Sequence, residues 1–187
     1  MLIVGLGNPG KEYEATRHNI GAMVLAAYAK QSDIPLSDDH KMLASVGSRQ
    51  GLTLAIPSTF MNNSGQAVAA IANYYKQSPD QVIVIHDDLD VPLGEVRMKL
   101  GGGTAGHNGV ASVAHHLSTP DFWRIRLGIG PVHEDLTTFR TNDTSGFVLA
   151  PFHADEQPVV EQVINMVCSH LSDWSADPKP LLIRIEE

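Results

Sequence analysis

The chain has 187 residues, 43% of them apolar, which is enough for one well-packed domain spanning 1–187, and nothing in its composition forces a second. A formal charge of −8 argues against general affinity for nucleic acid, and a lone cysteine, Cys168, excludes an intrachain disulfide or a multi-thiolate metal site. There is no long apolar run to span a membrane and no signal-peptide pattern at the start, so the expected compartment is the cytoplasm.

An apolar run, Leu2 to Val4, reads as a strand that feeds the turn Gly5-Leu6-Gly7-Asn8-Pro9-Gly10. Gly5, Gly7 and Gly10 satisfy the G-x-G-x-x-G spacing of a dinucleotide-binding turn, which requires a helix to open at the third glycine. Lys11 to Arg17 are too polar for that, and an apolar stripe starts only at Ile20, with Met23, Val24, Ala27 and Tyr28 following. With Thr16 or Asn19 as cap, that helix begins too late to hold a pyrophosphate, so the turn reads as a rigid mount for Asn8, Tyr13 and His18.

The first helix runs to about Gln31, Asp33-Ile34-Pro35 breaks it, and Met42 to Pro57 reads as a hairpin joined near Gln50-Gly51. An antiparallel pair there is a second count against a dinucleotide-binding half. Thr59 to Gly65 form a polar shoulder holding Phe60, Met61 and Asn62, capped at Asn63 or Ser64, before a helix carrying Val68, Ile71 and Ala72. Gln81 to Ile85 read as a buried central strand that ends in His86-Asp87-Asp88-Leu89-Asp90, the place where open α/β sheets hold their sites.

Val91 to Gly94 turn the chain into a strand, Glu95 to Leu100, whose alternation puts Arg97 and Lys99 on one face. The glycine-rich stretch Gly101 to Gly109 delivers His107 and Asn108 to the start of a short helix. Arg124 to Gly130 alternate as another strand with both arginines on one side, 131–145 read as a polar flap, and a last helix covers about Asp155 to Leu171 with Cys168 in its core face. Arg97, Lys99, Arg124, Arg126 and Arg140 fall close together in sequence and predict a local basic face on an acidic protein.

Residues on loops at strand ends comprise one base, His18, one carboxylate, Asp87, and three amides, Asn8, Asn62 and Asn108. No hydroxyl or thiol nucleophile sits in a recognised setting, which leaves water as the nucleophile. A histidine oriented by a carboxylate can take a proton from water near neutral pH, and amides can donate to a carbonyl that becomes an oxyanion. Hydrolysis of an acyl bond is the chemistry expected. An alternative uses His86, Asp87, Asp88 and Asp90 as ligands of a hard cation. His107 reads either as a site residue or as a helix cap, His115 and His116 as partners of a helix end, and Lys99 and Arg126 either as solvated strand positions or as phosphate contacts.

Taken together, G-L-G-N-P-G-x-x-Y-x-x-T-R-H-N, F-M-N-x-S-G, H-D-D-L-D and K-L-G-G-G-x-x-G-H-N-G, in that order over residues 2 to 150, resemble the bacterial peptidyl-tRNA hydrolase family. The resemblance implies an α/β fold, a single domain with a twisted mixed β-sheet flanked by helices, acting as a monomer without metal or other cofactor. It implies an esterase that separates the peptide from the tRNA 3′ end and so recycles tRNA for translation. His18 then corresponds to the catalytic base, Asp87 to the aspartate that orients it, and Asn8 to the asparagine that tells peptidyl from free aminoacyl ends. Asn62 and Asn108 match substrate-binding amides, Tyr13, Phe60, Met61 and His107 match pocket-lining or supporting residues, and Lys99 and Arg126 match a clamp on the 5′-phosphate. Two stretches depart from the family pattern: the tail from Asp177 lacks the usual basic helix, and Glu134, Asp135 and Asp143 make the flap acidic.

Overall fold

The computed structural model describes residues 1–130 and 144–185. Its centre is a mixed sheet in the order β2-β3-β4-β1-β5-β7-β6-β8, with helices on both faces. The strands are β1 (Leu2–Gly5), β2 (Ser37–Asp39), β3 (Ala44–Arg49), β4 (Leu52–Pro57), β5 (Val82–Pro92), β6 (Glu95–Leu100), β7 (Trp123–Gly130) and β8 (Leu181–Arg184). The helices are α1 (Ile20–Gln31), α2 (Ser64–Tyr74), α3 (Asn108–His116), α4 (Thr144–Val148) and α5 (Gln157–Ala176). β1 pairs in parallel with β4 and β5, and β5 with β7, so the ends of these four strands open on the same edge.

Strand alternation builds two cores. Ile3, Leu54, Ile83 and Ile85 face α1 and α5, while Leu2, Val4, Val82 and Val84 face α2 and α3. Each such side chain is fully buried and contributes roughly 1.5–3 kcal/mol relative to an exposed one. Gly5 and Gly21 let α1 press against the sheet: a Cβ on Gly21 would lie 2.3 Å from the Ile85 carbonyl oxygen, and one on Gly5 2.4 Å from that of Gly21. The predicted hairpin is β3–β4, and both Gln50 (φ 50°) and Gly51 (φ 83°) take the left-handed conformation its two-residue turn demands.

Two expectations are corrected, and two strands appear where none was predicted. The buried strand does not stop at Ile85; β5 continues to Pro92, because His86, Asp87 and Asp88 pair with Arg126, Leu127 and Gly128 of β7. The tail beyond Pro180 is a strand, β8, which adds to β6 at the sheet edge. α5 reaches Ala176, past Leu171, and Ser37–Asp39 form a short edge strand that the polar sequence concealed. The stretch read as a flap lies outside the described residues except for Thr144 and Ser145, which open α4.

Candidate active site

The mount for Asn8 is built from three hydrogen bonds, two from Asn19 and one from Met61. Asn19, the residue before α1, spends its side chain on Asn8: Oδ1 accepts the Asn8 N–H at 2.8 Å and Nδ2 donates to the Asn8 carbonyl at 2.9 Å. It therefore gives α1 no side-chain cap. From the shoulder before α2, the Met61 N–H donates to Asn8 Oδ1 at 2.7 Å. That bond spends Oδ1 and fixes the amide of Asn8, which lines the cleft. The glycine turn does not sit on a helix N-terminus; α1 opens at Ile20, ten residues after Gly10. The dinucleotide arrangement is absent.

His18, in a single 3₁₀ turn ahead of α1, donates from Nδ1 to Asp87 Oδ1 at 2.9 Å. His107 reaches the same oxygen with Nε2, also at 2.9 Å. Its Nδ1 accepts the N–H groups of Gly109 and Val110 at 3.1 and 3.2 Å, so the ring proton sits on Nε2 and points at the carboxylate. His107 caps α3 and also binds Asp87, so the two readings of it do not exclude each other. Burial alone would raise the Asp87 carboxyl, but His107 and His18 outweigh it and hold the group well below the usual carboxylate range. Asp87 is an ionised acceptor. Since His18 Nδ1 is spent on it, the lone pair of His18 lies on Nε2.

The neighbouring acid serves another partner. Asp88 Oδ2 accepts from Arg126 Nε at 2.6 Å, and although burial pushes its carboxyl up, the Arg126 hydrogen bond and charge carry it below normal. His86 is buried with Nδ1 bound to the Asp87 carbonyl at 2.7 Å; burial, with His107 beside it, lowers it to about 3 and keeps it neutral. Asp90 donates its N–H to Asp88 Oδ1. His86, Asp87, Asp88 and Asp90 thus do not converge on one cation. Among the described residues the one group with ligand atoms close enough for a metal is His18, Asp87 and His107, within 4.8 Å of one another. Those atoms are already joined by hydrogen bonds.

The basic face is smaller than the charge count predicted. Arg97 is paired to Glu95, which also holds Arg184 at 2.7 Å, and Arg140 lies outside the described residues. Arg124 is buried, donating to the carbonyls of Gly103 at 2.6 Å and Pro120 at 3.1 Å. Lys99 has no ion-pair partner among the described residues; burial and the nearby Arg126 and Arg124 charges lower its pKa. Cys168 is buried, its thiol pushed up to about 11, which leaves it no role as a nucleophile.

A cleft of about 540 Å³ lies at the strand ends, lined by Asn8, His18, Asp87, Asp88, His107 and Asn108 together with Leu89, Ala105, Gly106, Thr144, Ser145, Val148 and Leu149. Asn62, Tyr13, Phe60 and Met61 are not among its lining, and Met61 adjoins it through its bond to Asn8. Phe60 is 55% exposed and meets Tyr13 edge-on with ring centroids 6.3 Å apart, while Met61 is buried. Asn62 is exposed on the 3₁₀ turn of the shoulder. Sequence reasoning missed Asn19 as the holder of Asn8, Asp88 as the partner of Arg126, and the whole wall from Thr144 to Leu149. Only the adjacency of Asn19 to His18 could have hinted at the first.

A sequence model of the family described as Peptidyl-tRNA hydrolase matches residues 2–182. The chain is 41% identical to a protein of Cupriavidus pinatubonensis named Peptidyl-tRNA hydrolase, covering 98% of this chain and 91% of that one. It is 38% identical to one of the same name from Thiobacillus denitrificans, covering 94% and 86%. Among solved structures, it superposes on peptidyl-tRNA hydrolase from Acinetobacter baumannii with a TM-score of 0.81 at 36% identity, over 91% of this chain and 86% of that one. A complex of peptidyl-tRNA hydrolase with N-propanol gives 0.83 at 36% identity, over 94% and 88%.

Proposed function

The chain belongs to the peptidyl-tRNA hydrolase family and hydrolyses peptidyl-tRNA, and from that premise we propose that His18 is the general base and Asp87 the residue that aims it. The observation that carries this reading is the His18–Asp87 hydrogen bond, which leaves the His18 Nε2 lone pair for the cleft. Water attacks the ester carbonyl while Nε2 takes its proton. The ionised Asp87 stabilises the imidazolium that results. Asn8 Nδ2 and the Asn108 side chain supply donors for the oxyanion and the peptide end, and Asn62, with the Tyr13–Phe60 pair, extends the contact. When the intermediate collapses, the imidazolium returns its proton to the departing ribose hydroxyl. The products are a peptide carboxylate and a free tRNA end.

No step calls on a metal. Release of N-acetylamino acid from N-acetylaminoacyl-tRNA is expected to proceed at the same rate with and without EDTA. Loss of turnover in EDTA that added zinc or magnesium restores would overturn the metal-free mechanism and return attention to His18, Asp87 and His107 as ligands.

Lys99 and Arg126 form the grip on the tRNA 5′-phosphate. Asp88 holds Arg126 by Nε alone, and Lys99 is relieved of repulsion when a phosphate arrives. Lys99→Ala is expected to weaken tRNA binding and to flatten the slope of log affinity against log salt by about 0.9, the effect of one phosphate contact. An unchanged slope would remove Lys99 from the clamp. The protein acts as a monomer in the cytoplasm, where translation supplies its substrate.

A further inference from the structure

Arg17 is the motif residue that the mechanism leaves unused. It directly precedes His18 and is 1% exposed. Its guanidinium is 2.8 Å from Glu156 Oε2, and its carbon lies 4.4 Å from the ring centroid of Phe147 and 4.9 Å from that of Phe152. Nε and Nη1 find no acceptor among the described residues, so this desolvated cation is held by one carboxylate and two ring faces. The backbone joins in: the Arg17 N–H donates to the Ala150 carbonyl at 3.0 Å, and Thr16 bridges to Pro151. Every one of these partners lies in or next to the segment that gives the cleft Thr144, Ser145, Val148 and Leu149.

We propose that Arg17 is a positioning residue that sets the distance between His18 and the wall formed by 144–149, and so governs how tightly the cleft takes the substrate rather than how the proton moves. The inference rests on the hydrolytic reading of the site. α4 has five residues and none of them is buried, so it cannot fix its own position. Phe147 and Val148 pack against the core, and beyond that packing the segment is tied to the body through the Phe147 and Phe152 rings, Ala150 and Glu156, all four of which contact Arg17. His18, by contrast, is held by Asp87 and needs nothing from the guanidinium. A planar cation is required because a lysine ammonium cannot lie against two rings while reaching the carboxylate.

The test compares the unmutated protein with Arg17→Met, Arg17→Lys and Glu156→Gln by steady-state hydrolysis of N-acetylaminoacyl-tRNA and by amide hydrogen exchange. Arg17→Met is expected to raise KM about tenfold with kcat changed less than about threefold, the pattern of lost binding that is uniform to ground and transition states. The pH dependence of kcat should not move. Exchange at Leu149 and Ala150 should quicken while that of α1 stays as it was. Arg17→Lys should recover part of the loss, and Glu156→Gln should raise KM in the same direction by a smaller factor. A fall in kcat at constant KM would overturn the proposal, since Arg17 would then act on His18. So would unchanged exchange at Leu149 and Ala150 in both Arg17→Lys and Glu156→Gln, which stand even if Arg17→Met fails to fold. The exchange readout needs no substrate; absence of turnover in the unmutated protein would instead sink the hydrolytic reading.

Discussion

His18→Ala is expected to lower the rate of N-acetylaminoacyl-tRNA hydrolysis by about 10²–10⁴, the contribution of a well-placed general base. The fold should survive. Among the described residues the His18 side chain makes a single hydrogen bond, to Asp87, and that carboxylate keeps its bond to His107 when His18 is gone. Losing one hydrogen bond to a charged group costs roughly 1.5–3 kcal/mol. For a chain of this size that lowers the melting temperature by about 3–12 °C, at 2–4 °C per kcal/mol. Purified variant with an intact far-ultraviolet spectrum and unchanged turnover would rule His18 out as the base.

Asp87→Asn should be as damaging to catalysis, by roughly 10³–10⁴, and should also cost stability in a pH-dependent way. An amide oxygen can still accept from both histidines, but it carries no charge to set the His18 tautomer or to stabilise the imidazolium. The stability sign follows from the lowered carboxyl. A group whose folded-state pKa lies below its unfolded value, 3.8 here, stabilises the fold at every pH above that value. The contribution fades as pH falls toward the folded-state value. Urea unfolding of the two proteins should therefore differ most near about pH 7, and the gap should narrow by about pH 3. A gap that widens on acidification would contradict an ionised Asp87 shared by His18 and His107.

What could be read ahead of the structure was whatever depends on neighbours in sequence. β1, the hairpin at Gln50–Gly51 and the stripe of α1 come from local pattern and turn chemistry, and they were legible. The far end of β5 was not, because its acids look like an exit loop until Arg126, His18 and His107 arrive from 38, 69 and 20 residues away to satisfy them. β8 was hidden for the same reason: Leu181–Arg184 become a strand only beside β6. The basic cluster was overread because a sequence shows charges and not their partners, and Glu95 neutralises Arg97 from the same strand. Asn19 looked like a cap by type and place, yet its amide turns back to Asn8, since the glycine turn passes within reach of it. The opposing wall of the cleft carries no chemical signature at all. Val148 and Leu149 matter by position, and position there is decided by Arg17.

The long β5 carries one more consequence. Asp87 and Asp88 are consecutive, so the pleat sends them to opposite faces of the sheet, the first to the histidines and the second to Arg126. On the roles proposed above, cutting and holding are separated by a single peptide unit. Substitutions can therefore tune either task alone, while inserting or deleting one residue between Val82 and Asp88 would exchange the two acids and disable both at once. The information that keeps the tasks apart is the alignment of that strand with β1 and β7.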